Sequence, residues 1–422
     1  STLYNGKLSD KPWNPSILKL IKKAQVPVVP IYFSGGNSAL FHLLGKINPL
    51  LRTAKLPSEL LNKKNKQIHI RIGKPISPKE QSEFEDHHAI GRFLRAKTYA
   101  LGTPLSVKRF FKNGLIQKPE AEPIADAIKP EIIADEISKL NEYHLFKSAD
   151  YDVFCAPSDR IPNTMQEIGR LREITYRAVG EGTNHAFDLD EFDLYYQHLI
   201  IWDSAAQKLV GGYRIGKGAD IMKFLGKKGF YIQQLFRIKR SFNDILSQSL
   251  ELGRSYIVQE YQRKPLPLFL LWKGIIVFLL KNPEYRYLTG PVSISNEYSK
   301  YSKGILIEFL KRNCFDEHLA KSIKSRKKFR PNLKAIDTEI LLDSSKNDMA
   351  KLDKIIQEIE PLNLQLPVLF KKYIKQNAKV IGFNRDPKFN DALDGLMILD
   401  IYEIPTSTLS SLMKELQQEE LT

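Results

Sequence analysis

Residues 197–217 read QHLIIWDSAAQKLVGGYRIGK and contain two apolar runs that are separated by a short polar turn. Each run is rich in the β-branched and aromatic residues that favour strands, and residues 204–207 supply the turn. The segment therefore predicts a hairpin of two strands, Gln197–Trp202 and Lys208–Lys217, and the rest of the fold can be read outward from it.

Strand and helix patterns alternate on both sides of this hairpin. We place Glu251–Arg254 at a transition from helix to strand. Strands that are interleaved with helices predict an α/β or mixed α+β layer architecture. The predicted strands are 151–156, 230–236, 255–258, 287–294, 378–383 and 392–402. The predicted helices are 164–179, 265–280, 297–313 and 366–375.

The first segment of the chain also alternates between the two patterns. We predict helices over Asn14–Ala24 and Pro78–Leu101, with strands over Val26–Phe33 and Gln67–Ile72. Residues 102–150 are charged and carry several prolines, which is typical of a connector with a short helix. The predicted domains are therefore 1–112, a connector over 113–150, and 151–410.

The composition is that of an ordinary globular protein. The chain has 422 residues, of which 42% are hydrophobic and 27% charged, enough for two domains. Its two cysteines, Cys155 and Cys314, make no disulfide framework and no metal-ligand spacing, so we expect a reducing compartment.

The apolar run Pro265–Leu280 is too short to cross a bilayer and contains Lys273. The chain begins at Ser1 with text typical of the middle of a domain, and we expect it to be a fragment.

Positive charge is concentrated at the beginning of the chain. The formal net charge is +16, and residues 1–75 hold 13 lysines and arginines but only Asp10 and Glu59 as acids. An excess of this kind favours an acidic partner such as anionic lipid, nucleic acid or an acidic carrier protein, or it is simply a solvated basic surface.

Residues 187–193, FDLDEFD, place four carboxylates within seven positions. Such a run repels itself unless cations lie near, so it predicts either an exposed acidic loop or a cluster that binds a cationic amine or orients arginines. The nearby arginines are Arg170, Arg172, Arg177 and Arg214.

Glu251 and Arg254 stand three positions apart and would share one face of a helical turn. They predict either a surface ion pair or a carboxylate that is aimed at an amine nucleophile and steered by the arginine. His198, at the start of a predicted strand, is either a base or a structural histidine, and the structural role is commoner.

Several other sequence patterns support no assignment. The His-x4-Asp spacings at His185–Asp190 and His198–Asp203 match a dyad of glycerolipid O-acyltransferases, but two fixed residues arise readily by chance, so we assign neither. The sequence has no P-loop, dinucleotide fingerprint or nucleophile elbow. Nucleic-acid recognition motifs are absent too. We expect no nucleic-acid partner, no metal and no cofactor.

Eight stretches of the second segment follow one another in a set order. They are REITYRAVGEG (172–182), FDLDEFDLYYQHLIIWD (187–203), LVGGYRIG (209–216), FYIQQLF (230–236), LELGRSYI (250–257), LLWKGI (270–275), LTGPVSIS (288–295), and LPVLFKKYIKQNAKVIG with DPKFNDALDGLMIL (366–399). In this order the chain resembles the bacterial N-acyltransferases of ornithine-lipid and glycine-lipid synthesis, often labelled hemolysin-like, which belong to the GNAT superfamily. The resemblance implies a GNAT-like mixed sheet flanked by helices.

The same order of motifs resembles, more distantly, the acyl-homoserine-lactone synthases. That resemblance implies an arginine in the first helix, an acidic run, an arginine after the central strand, and a Glu-x-x-Arg pair. Matched by position, these fall on Arg172 or Arg177, on Asp190 and Asp193, on Arg214, and on Glu251 with Arg254.

The resemblance implies acyl transfer from a thioester, acyl-carrier protein or acyl-CoA, to the amine of an amino acid or a lyso-aminolipid. This chemistry needs a deprotonated amine, a polarised carbonyl and an apolar groove for the chain. Glu251 would be the base or would orient the amine, and backbone N–H groups of 233–236 would receive the carbonyl oxygen. The catalytic candidates are Glu251, Arg254, Asp190, Asp193 and Arg214. The substrate-binding candidates are Arg172, Arg177, Asp188, Glu191, His198, Gln234, Leu235, Phe236 and Ser293.

Three stretches of the first segment, STLYNGKLSDKPW (1–13), VPVVPIYFSGGNSALFHLLGKINPLLRT (26–53) and IRIGKPIS (70–77), resemble another family. They are similar to the C-terminal part of the α/β glycerolipid (lysophospholipid) O-acyltransferase domain. The catalytic His-x4-Asp of that family would lie upstream of residue 1. We therefore expect a truncated O-acyltransferase domain in this chain and a bifunctional enzyme in the intact protein.

These features together predict an acyltransferase that is peripheral on the cytoplasmic face of a bacterial inner membrane. Its expected partners are acyl carrier protein, an anionic membrane surface and an amino-acid substrate. Two rival interpretations remain at this point: a 1-acylglycerol-3-phosphate O-acyltransferase of phospholipid synthesis, and a non-catalytic protein that binds membranes through its basic face.

Overall fold

The structure of the chain is a computed structural model, which describes residues 2–4, 7–9, 13–64, 67–103, 121–331, 333, 336–361 and 364–410. In chain order the strands are β1 (Thr2–Tyr4), β2 (Lys7–Ser9), β3 (Ile31–Phe33), β4 (Ile70–Ile72), β5 (His144–Ser148), β6 (Tyr151–Pro157), β7 (Gln197–Asp203), β8 (Lys208–Lys217), β9 (Phe236–Ile238), β10 (Ser249–Ile257), β11 (Tyr287–Ile294), β12 (Ile323–Ser325), β13 (Lys379–Asp386) and β14 (Ala392–Asp400).

The α-helices are α1 (Pro15–Ala24), α2 (Ala39–Ile47), α3 (Pro49–Ala54), α4 (Leu56–Leu61), α5 (Pro78–Ser82), α6 (His87–Ala100), α7 (Pro130–Ser138), α8 (Pro162–Ala178), α9 (Gly218–Phe224), α10 (Ile232–Leu235), α11 (Asn243–Ser247), α12 (Pro265–Lys281), α13 (Lys300–Asn313), α14 (Glu317–Ala320), α15 (Thr338–Ser345), α16 (Met349–Ile359) and α17 (Val368–Lys375). Short 3-10 helices include Glu191–Leu194 in the acidic run. Among the described residues, no helix is both long and apolar enough to span a bilayer.

The chain folds into two compact units. The first comprises Ser1–Asn113, Ser299–Leu306 and Pro331–Gln365, and the second comprises Gly114–Tyr298, Ile307–Arg330 and Leu366–Thr422. The predicted limits 1–112, 113–150 and 151–410 remain a prediction, and strand β5 of the expected connector lies at the edge of the main sheet.

Ion pairs hold late segments of the chain onto early ones within the first unit. Arg92 Nε on α6 lies 2.5 Å from Asp337 Oδ2, just before α15, and Lys97 pairs with Glu358 on α16. Leu18 of α1 packs so tightly on α6 that a Cβ at Gly91 would lie 2.6 Å from its Cδ1. The first unit is therefore assembled from residues that are far apart in sequence.

The second unit is built on an eight-stranded sheet of order β13-β14-β11-β10-β8-β7-β6-β5. All neighbours are antiparallel except β10 and β11, which are parallel. The predicted hairpin of β7 and β8 is confirmed, and Leu199 of β7 pairs with Tyr213 of β8. Helix α12 packs on this part of the sheet, where a Cβ at Gly274 would lie 2.9 Å from Leu199 Cδ1.

Strands β10 and β11 pair over only three residues and then separate. Ser249–Glu251 pairs with Tyr287–Thr289, after which β10 continues along β8 and β11 continues along β14. At the last close point, a Cβ on Gly290 would lie 2.1 Å from the Leu252 carbonyl oxygen, so only glycine fits. We call the opening beyond this point the β10–β11 wedge.

Two predictions of local structure are wrong, and Glu251 is involved in both. Phe230–Phe236 is not a strand, because Ile232–Leu235 is helix α10 and the strand begins at Phe236; Glu251–Arg254 is not a helical turn but part of β10. The buried Glu251 carboxylate accepts the N–H groups of Tyr231 at 3.1 Å and Ile232 at 2.7 Å. The N-terminus of α10 is thus capped by a side chain from strand β10. The local sequence of 230–236 does not reveal this contact.

One predicted helix is also broken. Pro78–Leu101 forms α5 and α6, and the Asp86 side chain caps α6 by accepting the Ala89 N–H at 2.8 Å. The strand expected over Val26–Phe33 is shorter than predicted, since only Ile31–Phe33 pairs with β4.

Candidate active site

Arg172 on α8 binds two aspartates of the acidic run in the interior of the protein. It is 1% exposed, and its Nε donates to Asp188 Oδ2 at 2.9 Å. Its two Nη atoms donate to the two oxygens of Asp193 at 2.9 and 3.2 Å. This bidentate contact fixes both side chains in position.

Arg214 on β8 and Arg254 on β10 approach the same run from the sheet. Arg214 Nη1 lies 2.5 Å from Asp190 Oδ1 and 3.2 Å from Asp193 Oδ2. Arg254 Nε lies 2.8 Å from Asp188 Oδ2, and its Nη2 donates to Asp190 Oδ2 at 3.2 Å. Residues 187–193 therefore form an ion cluster with arginines rather than an exposed acidic loop.

The arginines keep these aspartates ionised. Burial opposes the charged form of Asp188, but the guanidinium groups of Arg254 and Arg172 outweigh it and lower its pKa. The pKa of Asp193 is also held far below its usual range, because Arg172 and Arg214 overcome the effect of burial. Asp188 and Asp193 thus have their charges already neutralised by the protein.

Glu251 lies next to this cluster and has its own set of donors. Its side chain is 1% exposed, and Oε2 accepts the Tyr196 hydroxyl at 2.5 Å in addition to the backbone contacts with Tyr231 and Ile232. Burial raises the pKa of Glu251 to about 7, while the hydrogen bonds limit the rise. The group therefore titrates in the range in which a general base works.

Aromatic rings lie against the two sheet arginines. The guanidinium carbon of Arg214 is 5.3 Å from the centre of the Tyr196 ring and 5.4 Å from that of Tyr231. That of Arg254 is 5.0 Å from the Tyr231 ring and 5.4 Å from the Phe389 ring. The rings exclude water from the arginine stems and restrict the positions of the charges.

Strand β10 carries a bulge at the wedge. Its pairing with β8 shifts between Gly253 and Tyr256, so Arg254 and Ser255 have no partner in the ladder. Arg254 has φ +51°, in the left-handed region, and the Tyr176 hydroxyl donates to the Ser255 carbonyl at 3.1 Å. Bulges of this kind re-aim the backbone and occur often next to active sites.

The two arginines predicted as alternatives in the first helix have different roles. Arg177 is not in the cluster: its Nε donates to Glu173 at 2.7 Å and Nη1 to the carbonyl of Glu122 at 2.8 Å. Arg172 is therefore the first-helix arginine that meets the acidic run.

The remaining substrate-binding candidates are dispersed. His198 is buried and its Nε2 donates to the Asp193 carbonyl at 3.0 Å; burial lowers its pKa to about 4, so it is neutral near pH 7. Gln234 contacts the exposed Glu191 at 3.2 Å. The Leu235 and Phe236 side chains lie in the hydrophobic core.

Ser293 contacts two acidic residues that are not among the predicted site residues. Its hydroxyl donates to Glu181 Oε2 at 2.7 Å, and it pairs across strands with Asp394 of β14. Asp394 and Asp386 are both buried. A signal was present, because an aspartate within the apolar run ALDGLMIL (392–399) is unusual in a buried strand.

An apolar cavity of about 340 Å³ lies between α12 and α17. Tyr213 of β8 opens onto it, and its hydroxyl lies 2.7 Å from that of Tyr373. The other lining residues are Leu268, Phe269, Leu271, Trp272, Ile275, Leu369, Lys372, Lys375, Gln376, Ser407 and Thr408. Across the part of the chain that the structure describes, no group of three or more His, Cys, Asp or Glu residues is arranged to hold a metal ion.

Comparison with protein families identifies the segment that carries this geometry. Residues 171–272 match the family described as an acetyltransferase (GNAT) domain. The match contains Arg172, Arg214, Glu251 and Arg254. The mixed sheet flanked by helices is consistent with a GNAT-like fold, so the predicted fold class is confirmed, and the protein is an enzyme of the acyltransferase class.

Two curated proteins are similar to most of the chain. Glycine N(alpha)-acyltransferase of Bacteroides thetaiotaomicron is 26% identical over 296 residues, covering 67% of this chain and 87% of that protein. The glycine N(alpha)-acyltransferase of Phocaeicola vulgatus is also 26% identical over 296 residues, covering 67% and 90% respectively.

Solved acyl-homoserine lactone synthases are similar at a lower level. The CoA-dependent synthase BjaI, solved with SAM and isopentyl-CoA, is 14% identical with a TM-score of 0.23, and the match spans 32% of this chain and 62% of that one. The CoA-dependent synthase MesI is 9% identical with a TM-score of 0.28, over 59% and 88% of the two chains.

Proposed function

We propose that this acyltransferase moves a fatty-acyl group from a thioester to the α-amine of a small amino acid, as a step of aminolipid synthesis. In the reaction the nitrogen of the deprotonated amine bonds to the carbonyl carbon and the C–S bond breaks. The proton that the amine gives up goes to the leaving thiolate, so the products are an amide and a thiol. The names of the two glycine N(alpha)-acyltransferases support glycine, or an amino acid of similar size, as the acceptor.

The β10–β11 wedge is the observation that carries this proposal. Beyond Glu251 the two strands separate, and the bulge leaves Arg254 and Ser255 without ladder partners on β8. We propose that their backbone N–H groups receive the thioester carbonyl oxygen, where negative charge develops during the attack.

The segment 233–236 is poorly suited to that role. The N–H groups of Gln233 and Gln234 donate to the carbonyls of Phe230 and Tyr231 at 3.1 and 2.8 Å. The Phe236 N–H donates to the carbonyl of Ile232. Since these donors are already used within a helical turn, the bulge of β10 is the better candidate.

The apolar cavity between α12 and α17 is a suitable place for the acyl chain. Its volume of about 340 Å³ falls within the ~300–1,000 Å³ usual for ligand pockets. Burying methylene groups there would contribute about 0.8 kcal/mol for each CH₂. Tyr213 reaches the cavity from β8, the strand that pairs with the bulge.

Glu251 has a pKa suited to a general base, but Tyr196, Tyr231 and Ile232 already donate to its carboxylate. We therefore propose that Glu251 acts chiefly by positioning these groups and, through Tyr231, the ring that supports Arg254. The three arginines would hold the acidic run rigid beside the wedge. Glu251→Gln separates the two roles: loss of a base changes the acid limb of the rate–pH profile, whereas loss of positioning lowers the rate at every pH.

A basic patch is available for the thioester donor. Exposed basic side chains, Lys321, Lys324, Arg326, Lys327, Lys328 and Arg330, follow α14 within ten positions. Arg326 Nε donates to the Gln233 carbonyl at 2.8 Å, so the patch adjoins the site region. We propose that it binds the acidic donor, acyl carrier protein or the phosphates of acyl-CoA.

The first unit has features that support peripheral binding to an anionic membrane. Four large side chains on α2–α4, Ile47, Leu50, Leu60 and Leu61, are each at least 70% exposed. The same segment is part of the basic region 1–75. Exposed apolar side chains among basic ones are typical of interfacial binding. We propose attachment to the inner face of a bacterial membrane; sedimentation with liposomes should fall at high salt and without anionic lipid, and indifference to both would contradict it.

We also propose that residues 1–112 belong to a glycerolipid O-acyltransferase domain, so that the full-length protein would catalyse both acylations. The sequence upstream of residue 1 tests this, since a His-x4-Asp dyad is expected there. Its absence from the gene would remove the O-acylation half of the proposal and leave amide formation standing.

The decisive experiment incubates the purified chain with a palmitoyl thioester and either one of the common amino acids or a lysophosphatidic acid, and detects products by mass spectrometry. We expect an N-acyl amino acid. Formation of diacylglycerol phosphate from a lysophosphatidic acid, with no amide product, would favour the phospholipid rival. No acyl product of either kind, together with liposome binding, would favour the non-catalytic rival.

A further inference from the structure

A second group of carboxylates lies across the wedge from the bulge, and no role has been assigned to it so far. Glu181 follows α8, Asp386 ends β13 and Asp394 is the third residue of β14; their exposed fractions are 8%, 4% and 4%. Burial raises the pKa of Glu181, and the exposed Glu297, after β11, adds to that rise from the edge of the group. We call Glu181, Asp386 and Asp394 the second acidic cluster.

The sheet places this cluster on one face. Asp394 pairs directly with Ser293 of β11 on one side and with Asn384 of β13 on the other. Side chains of directly paired residues point to the same face, with Cβ atoms ~5 Å apart. Asp386 is two positions from Asn384 and so shares that face. The Ser293 hydroxyl brings the Glu181 carboxylate to the same place.

Asp394 has an oxygen that the protein does not satisfy. Its Oδ2 is buried and has no hydrogen-bond partner in the described part of the chain. An unpaired buried carboxylate oxygen is costly, so a native structure that keeps one usually has a reason for it. Burial and the neighbouring Asp386 and Glu181 raise the pKa of Asp394 well above its usual value. The site is therefore deficient in one positive charge.

Arg254 is the cation whose charge limits the rise in the pKa of Asp394, but its guanidinium is already paired with other aspartates. Its guanidinium lies 2.8 Å from Asp188 and 3.2 Å from Asp190 in the first cluster. The Tyr231 hydroxyl donates to Asp386 at 3.1 Å, which satisfies one carboxylate but adds no charge. Among the described residues Asp394 Oδ2 therefore lacks a donor, and an ammonium group would supply both a donor and a positive charge.

The geometry points to the second acidic cluster as the binding site for a primary ammonium group, with Asp394 as its main partner and Glu181 as the second. This inference rests on the proposed function and deepens it: the ligand is the protonated α-amine of the acceptor amino acid. The ammonium group has three N–H donors, which suit the oxygens of Asp394, Glu181 and Ser293. The acceptor would then enter the wedge opposite the N–H groups of the β10 bulge.

The hairpin between β13 and β14 covers this site. Asn390 and Asp391 both have left-handed φ values, +50° and +58°, and the Asn390 side chain donates to the Gly180 carbonyl at 2.6 Å. Phe389, at the tip, packs edge-on against Tyr176 with ring centres 5.2 Å apart. The hairpin thus connects the cluster to the bulge, because Tyr176 also holds Ser255.

The test uses isothermal titration calorimetry on the full chain, with three probes: glycine, methylammonium and acetate. We expect saturable binding of glycine and methylammonium, and none of acetate, which lacks the ammonium group. Asp394→Asn and Glu181→Gln should each weaken the binding of both amines at least tenfold. Unchanged binding in both variants, or no binding of either amine to the wild type, would overturn the inference.

A matched control and a kinetic readout separate this site from the proposed reaction. Asp400→Asn removes the same charge on the same face of β14, roughly 20 Å away, and should bind both amines like the wild type. If N-acyl products form, Asp394→Asn should raise the KM for the amino acid at least tenfold and leave the KM for the thioester within twofold. An unchanged amino-acid KM would reject the site but keep the function; Asp394-dependent amine binding without any acylation would keep the site and reject the function.

Discussion

The Tyr196 hydroxyl donates a hydrogen bond to Glu251 Oε2 at 2.5 Å, and both side chains are 1% exposed. Tyr196 lies three positions after the acidic run, and Glu251 lies on strand β10. The bond therefore ties the ion cluster to the strand that borders the wedge.

Tyr196→Phe should shift the titration of Glu251 upward. Burial raises the pKa of Glu251 to about 7, and the hydrogen bond from Tyr196 limits that rise. Without a bond worth ~1.5 kcal/mol to a charged group, the pKa should rise further by about one unit. Because the ionised carboxylate is the form that accepts the N–H groups of Tyr231 and Ile232, the acid limb of the rate–pH profile should move up by the same amount. A limb that does not move would show that the ionisation of Glu251 is not what the rate depends on.

The two first-helix arginines should differ in their effect on stability. Arg172→Ala leaves Asp188 and Asp193 buried with one partner fewer, and should cost ~3–5 kcal/mol in the free energy of unfolding. Arg177→Ala should cost only about 1 kcal/mol, because Arg177 is partly exposed and Glu173 keeps three hydrogen bonds from Thr183 and Asn184. Urea unfolding of the two variants measures this, and equal losses would contradict the assignment of Arg172.

His198 should make the protein less stable in mild acid. Burial lowers its pKa to about 4, so between that pH and its usual value of about 6.5 the unfolded chain binds a proton that the folded chain does not. Its contribution is complete above pH 6.5 and is lost as the pH falls through 4. Relative to His198→Gln, the wild type should lose up to ~3 kcal/mol between pH 6.5 and pH 4. Parallel stability–pH curves for the two proteins would argue against a neutral buried histidine.

Asp394→Asn should stabilise the protein. Since the folded state raises the pKa of Asp394, its charged form is disfavoured there, and stability is lost as the pH rises above the unfolded value. The amide removes that charge, so the variant should unfold at a higher temperature at pH 8 than the wild type, by the equivalent of ~1–3 kcal/mol, and the difference should shrink near pH 4. Thermal scans at both pH values measure it. A destabilised variant would mean that a partner inside the protein needs the carboxylate.

Charge reversal in the basic patch should affect one donor selectively. Lys327→Glu together with Lys328→Glu changes the local charge by four units at two exposed positions. If the donor is acyl carrier protein, its KM should rise at least tenfold at low salt, with little change for a short acyl-CoA. Lys371→Glu with Lys346→Glu serves as a control for net charge. Equal effects of the two double variants would show that the patch itself does not bind the donor.

The regular strands could be predicted because their signal is local. Tyr287–Ile294 and the hairpin of β7 and β8 have patterns that depend only on their own residues, and both agree with the structure. The segment 230–236 could not be predicted in the same way, because its helix begins on the carboxylate of Glu251. The sequence also did not predict that residues 331–365 belong to the first unit. The contact that shows it, between Arg92 and Asp337, joins residues 245 positions apart.

The candidate site was predictable only in part. The acidic run was visible from its charge density and the resemblance to known families narrowed its arginine partners; the structure brings Arg172, Arg214 and Arg254 onto that run. The second acidic cluster was missed because Asp394, although unusual in an apolar strand, is 213 positions from Glu181 in the sequence, and only the fold brings both to Ser293. Whether these acids form a site depends on which residues lie beside them on β11, β13 and β14, and the sequence does not specify that pairing.

The order in which the ion cluster receives its partners has a consequence for biosynthesis. Asp190 leaves the ribosome 24 positions before Arg214 and 64 positions before Arg254. At ~5–20 residues per second, the run waits about 3–13 s for its last counter-charge. During that interval Arg172 is available to Asp188 and Asp193, but Asp190 still lacks the counter-charges of Arg214 and Arg254. The catalytic centre is thus a late product of translation, and synonymous codons that slow elongation between 190 and 254 should lower the yield of active enzyme more than the yield of soluble chain.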